Sequence, residues 1–240
     1  MNGRMWLYLV VPGLLAGIAA RCAVWYLAVE DPPRGTCPSC GLAPPRAIVP
    51  VRPFTGRCPR CGAAQGLPAL IPELLGAAGF ALAGWVGGGG LRIAAVCWLV
   101  AFALPAVLVD AAVQRLPDVL TWPCLAGVIV LSLGQAGADG SAADAVRLLL
   151  AAGTAAGFFL VLALLADVGL GDLKLAASLG AVLGYLSWHA VVVGIVAGLC
   201  LAGLQAAVLL AARRGRSARL ALGPALLAGT IVVLGLGARG

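Results

Sequence analysis

GLGDLKLAASLG, residues Gly169 to Gly180, holds one acid, Asp172, and the only lysine of the chain, Lys174, between long apolar runs. Gly169 and Gly171 permit a turn and a close backbone approach that a side chain would block. The stretch reads in two ways. It is a glycine-rich helix start with Asp172 as N-cap. Or it is a carboxylate kept at the mouth of a membrane segment because it does chemistry, since an acid at a helix centre costs roughly 2.5–3.5 kcal/mol on insertion scales. A second acidic stretch upstream, DAAVQRLPDVLTWP (Asp110 to Pro123), favours chemistry.

Composition sets the solvent. Of 240 residues, 62% are hydrophobic and 10% charged, with mean hydropathy +1.06. A soluble domain is about half apolar and about a quarter charged. The chain therefore reads as an all-α integral membrane protein whose main partner is the lipid bilayer. The net charge of +7 fits basic cytoplasmic loops, and nucleic acid is not an expected partner. His189 is the only histidine, which argues against His-based triads and multi-His metal sites.

Apolar runs fall at Trp6–Val29, Leu67–Val86, Ile93–Val109, Val119–Leu133, Ala145–Ala166, Leu173–Trp188, Ala190–Ala212 and Leu220–Leu236. They are continuous, not alternating, so they predict about eight transmembrane helices and not barrel strands. The first reads as a spanning helix and not a removed signal peptide. Arg21 interrupts it, snorkelling or facing the bundle interior. The glycines from Gly194 to Gly203 fit close helix–helix contacts. Eleven of the sixteen Lys and Arg lie in residues 30–66, 110–118, 167–174 and 213–219. The positive-inside rule places these segments in the cytoplasm and both termini outside.

Residues 30–66 cannot span. They contain CPSCG and CPRCG, whose Cys37, Cys40, Cys58 and Cys61 form two C-x-x-C turns seventeen residues apart. That spacing matches a tetrahedral four-cysteine zinc site, with Gly41 and Gly62 permitting the tight turns. Four thiolates leave no open coordination position, so the zinc is structural. Disulfides are disfavoured in a cytoplasmic loop. Cys22, Cys97, Cys124 and Cys200, single in apolar runs, read as small buried hydrophobes.

Asp110 ends the third apolar run and Asp172 opens the sixth, with Asp118 eight residues after Asp110. Asp110 and Asp172 on one face would share a proton and activate water against a peptide carbonyl. Alternatively each acid caps a helix or pairs with Arg115 or Lys174. Spacing alone leaves both open.

The two acidic stretches, the paired knuckles, IPELL (Ile71 to Leu75) and LGPALLAG (Leu222 to Gly229) occur in an order that resembles the bacterial type IV prepilin peptidases, membrane aspartic peptidases with a GxGD motif. The resemblance implies an endopeptidase of the bacterial inner membrane, its active site on the cytoplasmic side. It implies prepilin or pseudopilin substrates, cut after a short basic leader at a Gly just before the apolar helix. It implies Asp110 and Asp172 as the catalytic pair, with Asp118, Gly169, Gly171 and Lys174 in support. Many members also N-methylate the new N-terminus with S-adenosylmethionine. The chain divides into residues 1–92, two helices and the zinc-knuckle insert, and residues 93–240, the peptidase membrane domain.

Two departures stand out. The first helix, GLLAGIAARCAVWYL, lacks a Ser-Phe-Leu-Asn pattern, and the spacer between the knuckles lacks Asn-Ile-Pro. Both fall in the half that the family associates with methylation. The alternatives are a peptidase without methyltransferase activity, and a zinc-knuckle membrane transport or binding protein with the acids as ion ligands. Transport predicts acids near the midplane and an inverted repeat. Here the acids fall at helix ends and no repeat is visible.

Overall fold

Backbone groups in hydrocarbon have to be satisfied within the segment, which drives long apolar runs into helices. The computed structural model describes residues 5–27, 37, 39–41, 58, 60–63, 68, 70–88, 90–166, 169–211 and 221–237. Among the described residues there are eight helices and no strand: α1 (Met5–Leu27), α2 (Ile71–Val86), α3 (Gly90–Val113), α4 (Asp118–Ala138), α5 (Ala142–Ala166), α6 (Leu170–Leu186), α7 (Trp188–Ala211) and α8 (Leu222–Gly237). Each matches one expected run. Five of them, α1, α3, α4, α5 and α7, are long and apolar enough to cross a membrane, and the chain is a multi-pass membrane protein. The basic run at 213–219 and the spacer between the knuckles lie outside the described residues.

Two boundaries differ from expectation and matter for the site: the end of α3, and the start of α6, which comes at Leu170, ahead of Asp172. α3 continues to Val113, so Asp110 lies inside the helix and not at its end. α6 and α8 are short, at 17 and 16 residues, and their N-terminal turns meet the Asp110 turn of α3. Asp110 is three residues from the end of α3, and at about 1.5 Å per residue the site is recessed by roughly one turn.

The helices pack antiparallel in sequence order. Contacts between small residues fix this alternation. A Cβ on Gly13 would lie 2.6 Å from the Gly76 carbonyl oxygen, and one on Gly229 would lie 2.5 Å from the Gly198 nitrogen. Without water, small residues let helices approach and gain van der Waals contact. Gly194 and Gly198 do contact neighbouring helices, as expected, while Gly203 faces open space. The core centres on α3 and α6, through Leu99, Val107, Leu175, Leu179 and Leu183, joined by Phe159 and Leu226. Ala20 of α1 and Phe80 of α2 pack on Val100 and Leu104 of α3.

Arg21 faces the interior. Its Nη2 lies 2.7 Å from Glu73 Oε1, with side chains 5% and 9% exposed. Glu73 is the acid of IPELL. Nη1 of Arg21 and Oε2 of Glu73 have no hydrogen-bond partner. Removing one member of such a pair strands the other charge. Glu73→Leu is expected to cost about 3–5 kcal/mol, and Arg21→Met with Glu73→Leu to regain most of it. Thermal unfolding of the purified proteins in detergent measures this; a double variant no more stable than the single one would show the pair does not act as a unit.

The opposite end of α6 is clamped by polar groups. Arg147 donates to the Gly184 and Tyr185 carbonyls at 2.7 and 2.8 Å, completing a helix C-terminus. The Tyr185 hydroxyl and the Gln135 amide donate to Asp139 at 2.6 and 2.9 Å. A cleft lined by Arg92, Ser132, Gln135 and Tyr185 opens there, away from Asp110 and Asp172.

Candidate active site

Asp110 is 5% exposed, near the end of α3. The Gly223 N–H donates to its Oδ2 at 3.2 Å. Gly223 is the second residue of α8, where the first backbone N–H groups have no partner within the helix. A Cβ at Gly223 would lie 3.0 Å from that oxygen and 3.3 Å from Val107 Cγ1. The glycine of LGPALLAG therefore lets α8 come down on the acid. The sequence singles out the motif but gives Gly223 no role. The available sign is a Gly-Pro opening an apolar helix.

Asp172 is 8% exposed and lies in the first turn of α6. It is not the N-cap. Gly169 is, in extended conformation at φ −67° and ψ 139°, and its N–H faces the Asp172 carboxylate. Asp172 thus reaches back to the cap from the third helical position, as an acid in the first turn tends to do. Its Oδ1 is buried with no hydrogen-bond partner. Asp172 feels the charge of Asp110. The two acids therefore lie within electrostatic reach of one another. Two carboxylates in one another's field, shielded from water, favour holding a single proton between them.

The two glycines of GLGD differ. A Cβ on Gly171 would lie 2.6 Å from Leu116 Cβ, so glycine is required there for the α3–α4 loop to pack on α6. Gly169 has an ordinary backbone conformation, and a Cβ there would meet only Asp172 Oδ2, at 3.6 Å. Its freedom is not needed for the turn. What its smallness leaves is open backbone beside the acid.

Asp118 does not join the pair. Lys174 bonds it at 2.5 Å, and the Asp118 side chain is 68% exposed while that of Lys174 is 15% exposed. The ammonium also lies 4.9 Å above the Trp122 ring. Lysine here joins the start of α4 to the first turns of α6. Exposed pairs contribute about 0–1 kcal/mol. Asp118→Asn is therefore expected to keep most activity and to lower stability by less than about 1 kcal/mol. A cleavage assay alongside an unfolding curve checks both; an inactive but folded variant would move Asp118 into the chemistry.

Cys37, Cys40, Cys58 and Cys61 bring their sulfurs within 4.8 Å of one another. Cys37 and Cys61, and Cys40 and Cys58, are 3.6 Å apart. Sulfurs at the corners of a tetrahedron with 2.3 Å zinc–sulfur bonds are about 3.8 Å apart. The two knuckles repeat one geometry. Gly41 N–H donates to the Cys37 carbonyl at 2.8 Å and Gly62 N–H to that of Cys58 at 2.9 Å. Both glycines take positive φ, 67° and 72°, which a side chain would resist. Burial acts to raise the Cys37 thiol, but the Ser39 and Cys40 backbone N–H groups and the Cys58 and Cys61 thiols outweigh it and hold it at about 6. The donor set fits zinc.

Eight apolar helices, with Asp110 and Asp172 buried among them and a four-thiol cluster between α1 and α2 in the chain, define a polytopic membrane protein. The model of the type IV leader peptidase family matches residues 93–207. That match, which runs from α3 into α7, supports a peptidase of this kind. The match includes Asp110 and Asp172 but stops before Gly223. The chain matches no curated protein and no solved structure.

Proposed function

We propose that the chain is an aspartic endopeptidase that removes short basic leaders from type IV prepilins or pseudopilins, with Asp110 and Asp172 as the catalytic pair. The observation that carries this is the unpartnered Asp172 Oδ1, buried within the field of a second buried acid. A buried carboxylate oxygen without a donor is costly, and a bound water or substrate carbonyl would satisfy it. One acid takes a proton from water as its oxygen bonds to the peptide carbon; the other gives a proton to the carbonyl oxygen. Proton return to the nitrogen then breaks the C–N bond. Asp118 and Lys174 hold α4 on α6, Gly171 admits Leu116, and Gly169 leaves backbone open for an extended substrate.

The same reading sets the site at the cytoplasmic face of a bacterial inner membrane, and the distribution of basic residues supports it. Eleven of the sixteen Lys and Arg fall in the sequence segments 30–66, 110–118, 167–174 and 213–219, which under the positive-inside rule favours a cytoplasmic location for the segments that carry both acids. A basic leader would stay there while its apolar helix enters from lipid. Reporter fusions after Gly66 and after Ala212 are expected to read cytoplasm; a periplasmic reading at either overturns the orientation.

The division into residues 1–92 and 93–240 follows the change from helix pair and insert to the family-matched bundle, with α8 completing the site from beyond the match. The four thiols would hold a structural zinc. The glycine-rich turn at 87–90 is at the bundle end opposite Asp110, and a Cβ at Gly88 would meet the Arg92 side chain at 2.8 Å. N-methylation of the new N-terminus with S-adenosylmethionine is the second activity that the resemblance allows. Co-expression with a candidate prepilin, followed by mass measurement of the product, tests cleavage and reads methylation of the new N-terminus together.

A further inference from the structure

Asp110 and Asp172 are both buried, but their oxygens have different surroundings. Asp110 Oδ2 accepts the Gly223 N–H, which belongs to another helix. The first turn of α8 also presents the positive end of its dipole to that carboxylate. Both effects act on the ionised form. Asp172 has the Gly169 N–H and the start of α6 on one side. What separates it from Asp110 is its other oxygen, Oδ1, buried with no donor at all. Protonation removes the penalty of charging such an atom.

Among the described residues, the other charges packed around the pair have partners of their own. Among the described elements packed on α3, Arg21 of α1 and Glu73 of α2 are joined to each other, and Asp118 of α4 is joined to Lys174 of α6. α8 carries no titratable side chain from Leu222 to Gly237. Arg115 lies in the loop that follows α3. Asp172 is the acid that shares a field with Asp110.

The geometry points to Gly223 as a positioning residue, whose N–H holds Asp110 as the carboxylate that takes the proton of water and leaves Asp172 as the acid that protonates the carbonyl. This assignment rests on the paired-carboxylate reading above. In the first step the water oxygen bonds to the carbonyl carbon, one water proton goes to Asp110, and the Asp172 proton goes to the carbonyl oxygen. In the second, Asp110 returns its proton to the nitrogen, the C–N bond breaks, and a hydroxyl proton of the diol returns to Asp172. Both acids end as they began.

The test uses the full chain, purified, and a synthetic peptide with a basic leader, a Gly and an apolar stretch. Gly223→Pro removes the N–H at a first-turn position that tolerates proline. Gly223→Ala keeps it and adds a Cβ 3.0 Å from Asp110 Oδ2. Gly223→Pro is expected to lower kcat about tenfold or more with KM unchanged. The acidic limb of its kcat–pH profile is expected to move up by about one unit, because Asp110 without its donor needs a higher pH to ionise. Gly223→Ala should move that limb less. An unmoved limb in an active Gly223→Pro, or equal shifts in both variants, overturns the assignment.

A second measurement does not depend on how Gly223 variants fold. In isotope-edited infrared titration of the wild-type protein, the first of the two carboxyls to ionise on raising pH should be the band lost in Asp110→Asn. Its loss in Asp172→Asn instead would overturn the assignment while leaving the paired mechanism standing. Cleavage retained by both Asp→Asn variants would instead remove the paired mechanism itself.

Discussion

Asp110→Asn and Asp172→Asn are each expected to reduce leader cleavage by about 10²–10⁴-fold, the range that a positioned acid or base contributes, while both proteins stay folded. An amide has the shape of the carboxylate. At position 110 its oxygen can still accept the Gly223 N–H, which now lies 3.2 Å from Oδ2. What it cannot do is take or give the proton. The two changes disable one unit, so the double variant should be no worse than either single one. Asp139→Asn and Asp144→Asn are the controls, both at the opposite end of the bundle. They serve for activity and not for stability, because Asp139 accepts from Tyr185 and Gln135, and Asp144 pairs with Arg147. Full activity in Asp172→Asn would remove the aspartyl mechanism. Loss in Asp118→Asn with activity kept in Asp110→Asn would move the role of first acid to Asp118.

Serine at Cys37, Cys40, Cys58 or Cys61 is expected to lower the zinc content of the purified protein from an expected value of about one per chain towards zero. Each thiolate is one of four corners, and structural zinc contributes about 10–16 kcal/mol of apparent binding in small modules, so its loss is loss of local folding. The damage should stay local. None of the four cysteines belongs to the core built around α3 and α6, so the bundle keeps its helices while the insert becomes open to protease. Metal analysis with limited proteolysis reads both. Protein that holds no zinc and carries two disulfides would refute the site.

The helices were readable because hydrocarbon leaves a chain few options. Eight runs became eight helices, with ends displaced by a few residues. The knuckles were readable because C-x-x-C-G writes two ligands and the turn between them into five positions. The acids were readable as a pair only through the resemblance, since nothing local says that Asp110 and Asp172, 62 residues apart, meet in space. Three things were hidden for the same reason. Arg21 finds Glu73 across two helices, Gly171 is glycine because Leu116 sits on it, and Gly223 donates to an acid 113 positions away. Such relations exist only once the helices have packed. Gly169 went the other way: its place in GLGD suggests a turn that needs glycine, and the backbone there is in an ordinary extended conformation.

The most direct measurement is the mass of a candidate prepilin co-expressed with this chain and, in parallel, with its Asp172→Asn variant. The wild-type chain should yield a product shortened by the basic leader, cut after the Gly that precedes the apolar helix, and the variant should leave the precursor whole. A precursor untouched by the wild-type chain, or cut equally by the variant, would contradict the account.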